Sequence, residues 1–262
     1  MKDNIYTIPL TDAFHSGHEC PFCFIHNNLQ NDAMDFILGS AYMADDIREE
    51  TNRLGFCSNH YGLLYDHGNR LGLAMMMHTH LVEFKKNLLP LLKNNNPKQT
   101  ASKISIFTKK INPQSFHTLA SSNNTTSEYI FKNEESCYVC NKIDGDMARY
   151  LDTFFFVWKR DPKFKDLVIN CKGFCLSHFA SLLDMAPLKL SGDMLQDFYQ
   201  LVIPLTLENL NRIEEDLSWY IDKSDYRNKE ASWKTSKDAI PRSIQKLASL
   251  QVGIEPKKEK GE

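Results

Sequence analysis

The sequence predicts an all-α fold built as an internally duplicated pair of pseudo-symmetric halves, about three helices each. Three observations carry this expectation. Apolar residues recur three and four apart along "FIHNNLQNDAMDFIL" (24–38), "SNHYGLLYDHGNRLGLAMMMHTHLVEFKKNLLPLL" (58–92), "MARYLDTFFFVWKR" (147–160) and "SGDMLQDFYQLVIPLTLENLNRIEEDLSWYIDK" (191–223), the period of an amphipathic helix. Little of the chain alternates with the period of two that marks a half-buried strand. Finally, the hexapeptide "GFCSNH" (55–60) returns as "GFCLSH" (173–178), and each copy follows a Cys-x-x-Cys, "CPFC" (20–23) and "CYVC" (137–140).

Taken in order, residues 1–93 form the first helical repeat, with its Cys-x-x-Cys and Gly-Phe-Cys-x-x-His. Residues 94–134 are expected to be a polar linker or insertion, since "KNNNPKQTASK" and "SSNNTTSE" are rich in Asn, Ser and Thr and poor in core residues. Between them, "ISIFTKKI" reads as a short strand or an apolar latch. Residues 135–223 form the second repeat, with Ser191 and Asp193 as possible caps and Pro204 as an expected kink. From 224 to 262 the composition turns polar. Pro241 suits the start of a short helix ending near Leu250, and "EPKKEKGE" reads as a disordered end.

The duplicated cysteines carry the chemistry. Thirty-three residues separate Cys23 from Cys57 and 34 separate Cys140 from Cys175, and the two sets are offset by 117 to 118 residues. Cys-x-x-Cys brings two sulfurs to one point, the commonest clip for zinc. Residues three apart share a helix face, so Cys57 with His60, and Cys175 with His178, aim at one ion each. A helix start favours the thiolate form. The expected ligand sets are therefore Cys20, Cys23, Cys57, His60 and Cys137, Cys140, Cys175, His178, each closing one half around a zinc ion. Iron–sulfur clusters are the alternative cofactor. Buried reduced cysteines and dithiol redox chemistry are the competing readings, the latter without the β-α-β context it normally has. Four protein ligands saturate a tetrahedral ion, so water activation at these atoms is disfavoured.

Other residues are weaker signals. His26 competes with His60 as a ligand, although the second half has no equivalent; His15 and His18 lie nearby. Cys171 is the odd cysteine and reads first as packing, with a resolving thiol as the alternative. Asp45, Asp46, Glu49 and Glu50 cluster before the first Gly-Phe-Cys, a solvated face on the plainer reading and a cation or partner site on the other. His78 and His80 do not share a helix face and so make no metal clip. "SDYRN" and "SKDAIPR" suit an ordered tail packed across the two halves, or a segment that covers a cleft or docks a partner.

Composition narrows the function classes. The 262 residues are 42% hydrophobic and 24% charged with net charge −2, ordinary globular values that disfavour nucleic acid as a partner. Seven cysteines in a chain this long suit a reducing compartment, no apolar run spans a bilayer, and the N-terminus has no secretory pattern. A cytoplasmic location is expected. No Walker loop, Gly-x-Gly-x-x-Gly or Gly-x-Ser-x-Gly is present.

Taken together, "YTIPLTDAF" with "CPFC", "DDIREETNRLGFCSNH", "GNRLGLAMM", "SCYVC", "DTFFF", "KGFCLSH" and "DYRN…SKDAIPR" resemble an uncharacterised bacterial family, a domain of unknown function. The resemblance covers most of the chain outside the Asn-rich stretch and the charged end. It implies a soluble bacterial protein and brings no catalytic residue, substrate or cofactor. The leading expectation is a non-enzymatic zinc-stabilised scaffold or interaction module whose partner is an unknown protein or small molecule. The alternatives are an iron–sulfur or thiol redox protein, and a small-molecule enzyme with its site between the halves near Asp46 and Glu49.

Overall fold

The computed structural model describes residues 5–94 and 125–252. Among them are eleven α-helices and no strand. In chain order these are α1 (Thr7–His15), α2 (Pro21–Gly39), α3 (Asp45–Leu54), α4 (Ser58–His67), α5 (Arg70–Asn94), α6 (Thr125–Glu135), α7 (Tyr138–Trp158), α8 (Pro162–Ile169), α9 (Leu176–Lys189), α10 (Asp193–Lys223) and α11 (Ala239–Ala248). The helical class is as expected; the count exceeds three per half. The periodic run 58–92 is two helices, because Gly68 at φ +107° ends α4 in a left-handed cap and Asn69 Oδ1 accepts the Gly72 N–H at 2.9 Å to start α5. Neither Ser191 nor Asp193 caps α10. Gly192, at φ +55°, occupies that position, and the helix runs unbroken through Pro204. "ISIFTKKI" and the charged end lie outside the described residues.

The described residues form two compact units. One comprises residues up to Leu29 together with those from Gly145 onward; the other lies between Gln30 and Asp144. These units do not follow the boundaries at 93 and 135, and the division falls inside α2 and inside α7.

The first unit is built on an aromatic core. Phe14 of α1 packs edge-on to Phe164 of α8 at 5.2 Å, and Phe154 of α7 meets Phe164 at 5.5 Å. Trp158 and Phe155 both reach Phe198 of α10 at 5.3 Å. Every one of these rings is 6% exposed or less, and burial contributes about 1.5–3 kcal/mol for each such side chain. Two of the core rings come from the cysteine segments themselves: Phe22 and Phe174 pack 5.9 Å apart. The aromatic residue of each segment is thus an anchor that fixes the neighbouring cysteines. α8 begins with Asp161 accepting the Lys163 N–H at 2.9 Å, with Pro162 in its first turn.

α11 closes this unit. Arg242 pairs with Asp216 of α10 at 2.8 Å, and Thr235 donates to the other Asp216 oxygen at 2.6 Å. The described part of the segment from 224 is thus held by charge to α10.

In the second unit α3 lies along α5. Arg48 donates to Thr79 Oγ1 at 3.1 Å and to the Met75 carbonyl at 3.4 Å. α6 occupies the end of the stretch read as a polar linker, and its Tyr129 stacks on Phe84 of α5 at 5.4 Å. The Thr- and Ser-rich start of this helix hid it from a composition reading. The joint between α6 and α7 is fastened to the end of α3: Ser136 Oγ donates to the Leu54 carbonyl at 2.6 Å and the Tyr138 N–H to the Gly55 carbonyl at 3.0 Å. No described helix is long and apolar enough to cross a membrane.

Candidate metal centres

All four cysteine-bearing segments are helix starts. Cys20, Cys57, Cys137 and Cys175 each stand just before the first residue of α2, α4, α7 and α9. Each gives its carbonyl to the first helical hydrogen bond, from the N–H of Phe24, Tyr61, Asn141 and Phe179 in turn, at 2.8–3.2 Å. The partner residue three further on, Cys23, His60, Cys140 or His178, then lies one turn along the same face. The Cys-x-x-Cys is consequently the opening turn of a helix, and the Cys140 N–H points at Cys137 Sγ, 3.5 Å away. Four helix N-termini supply positive potential where thiolates need it.

Gly55 and Gly173 make the sharp entry before Cys57 and Cys175. They sit at φ +59° and +73°, where side chains strain the backbone. The two cysteines that follow have nearly the same conformation, φ −71° and ψ 165° at Cys57, φ −73° and ψ 161° at Cys175.

The helix starts pair across the sequence halves. One group is Cys20, Cys23, Cys175 and His178; the other is Cys57, His60, Cys137 and Cys140. All eight expected ligands are in these groups, but the expected sets are wrong: each Cys-x-x-Cys meets the Cys-x-x-His of the other half. The reason is in the packing. Phe22 and Phe174 share one core, bringing α2 to α9, while the bond from Tyr138 to Gly55 brings α7 to α4. In each group the ligand atoms all lie within 4.8 Å of one another.

In the first group, Cys23 Sγ stands 3.5 Å from Cys175 Sγ. His178 Nδ1 is 3.6, 3.5 and 3.0 Å from the sulfurs of Cys20, Cys23 and Cys175. In the second, Cys57 Sγ is 3.8 Å from Cys140 Sγ, and His60 Nδ1 is 3.3 Å from each of the three sulfurs. The edges of a tetrahedral zinc site, from Zn–S and Zn–N bonds of ordinary length, are about 3.8 Å between sulfurs and about 3.6 Å from sulfur to nitrogen. The donor sets have the dimensions of a single-ion site. The sulfurs are also too far apart for disulfides, and all seven cysteines are free thiols.

Electrostatics points the same way. Burial alone would push the His178 imidazole down, but the Cys175 and Cys20 sulfurs outweigh it and carry it up to about 10. Hydrogen bonds with Cys20 and Cys23 hold the Cys175 thiol far below the ordinary thiol range, while the bond to Cys175 pushes Cys23 well above it. Burial likewise raises Cys137 and Cys140. Thiols crowded this closely resist ionising together; a divalent cation at the centre removes the conflict.

The two centres differ in their surroundings. Cys20, Cys23 and Cys175 are buried, whereas Cys57 and Cys140 are half-buried. Ser249, just past α11, donates to Cys175 Sγ at 3.1 Å. Beside Cys20, the buried Glu19 carboxylate pairs with Arg212, and Lys246 stands 3.7 Å from it while donating to the Glu19 and Lys172 carbonyls. This buried charge network was not anticipated. Its signal was Lys246 lying three and seven residues after Ser243 and Ala239, on the face of α11 that is buried.

The remaining expected residues fall outside both groups. His15, His18 and His26 join neither; His18 packs on Phe24 at 4.8 Å. Cys171 also joins neither, accepts the Gly173 N–H at 3.3 Å, and is pushed up to about 11 by burial. Asp45, Asp46, Glu49 and Glu50 lie exposed on α3, with Glu50 paired to Arg53 at 2.6 Å. His78 is exposed and His80 buried. A cavity of about 580 Å³ in the second unit is lined by Glu49 and His80 among others, and a second of about 590 Å³ shares His80, Phe84 and Asn133 with it.

Among the described residues, fold and donor sets define an all-helical protein with two Cys3His groups of single-ion size. Residues 1–253 match the model of the family of unknown function DUF6062, and the chain belongs to that family. No curated protein and no solved structure matches it.

Proposed function

We propose that this is a zinc-stabilised helical scaffold or interaction module, non-enzymatic at its metal centres and resident in a reducing compartment, the bacterial cytoplasm. The single observation that supports it is the paired Cys3His geometry: two complete donor sets, each the size of one tetrahedral ion. Four protein ligands leave no position for a substrate or an activated water. Each ion would staple two helix starts and contribute its binding energy to folding. Zinc is favoured over an iron–sulfur cluster because the sulfurs gather at single-ion distances, and all-cysteine ligation is usual for clusters. The matched conformations of Cys57 and Cys175 support reading the halves as a duplication whose members exchange their ligand pairs.

Elemental analysis of anaerobically prepared protein tests this reading. It predicts close to two zinc ions per chain in a colourless protein. Brown protein with visible absorbance and stoichiometric iron would replace it with the redox alternative.

A further inference from the structure

The cavity beside α5 combines apolar surface with several charged and amide side chains, and the metal centres do not explain it. Its focus is His80, whose residue is 9% exposed. Nδ1 lies 2.8 Å from the Asn52 carbonyl oxygen. A carbonyl only accepts, so Nδ1 carries a hydrogen and Nε2 is the ring nitrogen left to meet a ligand. Among the described residues nothing donates to Nε2. It lies on the side of Gly55, where an added Cβ would fall 2.7 Å from both Nε2 and Cε1. A glycine at this position therefore keeps the ring edge clear.

The charges around this ring are balanced and partly unmatched. The cavity is lined by the carboxylates of Glu49 and Glu83 and the cations of Arg53 and Lys132. Arg53 is engaged by Glu50, and Glu83 lies 3.6 Å from Lys86. That leaves Glu49 and Lys132 without an ion pair among the described residues. Stacked Phe84 and Tyr129 add an aromatic surface. No third metal-ligand group of Cys, His, Asp or Glu occurs among the described residues. Its volume is in the range that encloses a small organic ligand.

We propose that this pocket binds a zwitterionic small molecule of the α-amino-acid class. Lys132 receives the carboxylate, Glu49 the ammonium group, and His80 Nε2 accepts a hydrogen from the ligand while its side chain lies against Phe84 and Tyr129. One unmatched charge of each sign selects a zwitterion over a simple anion or cation.

The test is an NMR titration of the His80 imidazole in the metal-loaded full chain, using each of the twenty free α-amino acids as probe. At least one is expected to shift the resonance saturably. Its N-acetyl and its carboxamide forms, each lacking one charge, should bind at least about tenfold more weakly, as should the free acid to Glu49→Gln and to Lys132→Met, about 1.4 kcal/mol in each case. Both positions are exposed, and an unchanged melting curve will show that the variants fold. The proposal is overturned if no amino acid perturbs His80 at millimolar concentration, or if the blocked forms bind as well as the free acid.

Discussion

Gly55 shows how much one residue decides. At φ +59° and ψ −153° it occupies a region that glycine alone populates readily, and an added Cβ would overlap the His80 ring. Gly55→Ala should destabilise the protein by about 3 kcal/mol, from backbone strain and the displaced ring together. Gly173→Ala meets the Leu205 carbonyl at 3.4 Å and the Asn209 side chain at 3.5 Å, looser contacts than those at Gly55, and should cost about 1–2 kcal/mol, so chemical denaturation of the two variants should rank them in that order. Asp216 offers a pH test. Burial would raise its pKa, but hydrogen bonds from Thr235 and Arg242 prevail and hold it below the ordinary value. A carboxylate depressed in the folded state stabilises fully above the unfolded pKa of about 3.9 and loses that contribution as pH falls through its folded value. Asp216→Ala should therefore destabilise the protein at pH 7, by about 1 kcal/mol once solvent screening is allowed for. The difference from the unmodified protein should shrink in strong acid. At this scale the eight grouped residues were legible, because thiols and imidazoles at three-residue spacing are a local signal. His80 and Lys246 were not, since their environments are made by residues distant in sequence.

Helix starts are the working parts at the next scale. Of the four elements that carry ligands, α2, α4 and α7 were visible at least in part as periodic segments, and α9 only through its repeated Gly-Phe-Cys-x-x-His. Which would pair with which was not, because Cys-x-x-Cys fits either Cys-x-x-His equally well and nearly equal spacings suggested closure within each half. Packing of Phe22 on Phe174 settles the partners, and that contact is invisible to local pattern. The crossed grouping has a direct consequence for thiol reactivity. In Cys175→Ser/His178→Ala, Cys20 and Cys23 should become open to alkylation while Cys137 and Cys140 stay protected; peptide mapping by mass spectrometry would read this. Labelling of Cys137 and Cys140 instead would restore the within-half sets. α6 was missed for a different reason: its helix begins in Thr-Thr-Ser, residues that compete with the backbone for hydrogen bonds and lower helix propensity, and it is held by the Tyr129 contact with α5.

For the whole molecule, each donor group, once it holds an ion as proposed, would be a cross-link between segments far apart in sequence. The second joins His60 to Cys137, 77 residues on. Treated as a chain cross-link, a closure of that length is worth about 4 kcal/mol. Stripping the ions with a strong chelator should then lower the melting temperature by about 10 °C or more in a chain of this size. Calorimetry before and after zinc is returned will measure it, and an unchanged transition would remove the structural role. The two cross-links are also nested, the inner one complete at Cys140 and the outer one only at His178. A ribosome makes the chain in one direction, so assembly has a built-in timetable. The inner centre can load while the outer pair, Cys20 and Cys23, still waits for a cysteine 152 residues after Cys23. At typical elongation rates that wait lasts about 8 to 30 s. Through it the nascent chain exposes two thiols that oxidants and stray metal ions can reach, so conditions during synthesis, as well as the finished fold, bear on how much correctly metallated protein a cell recovers.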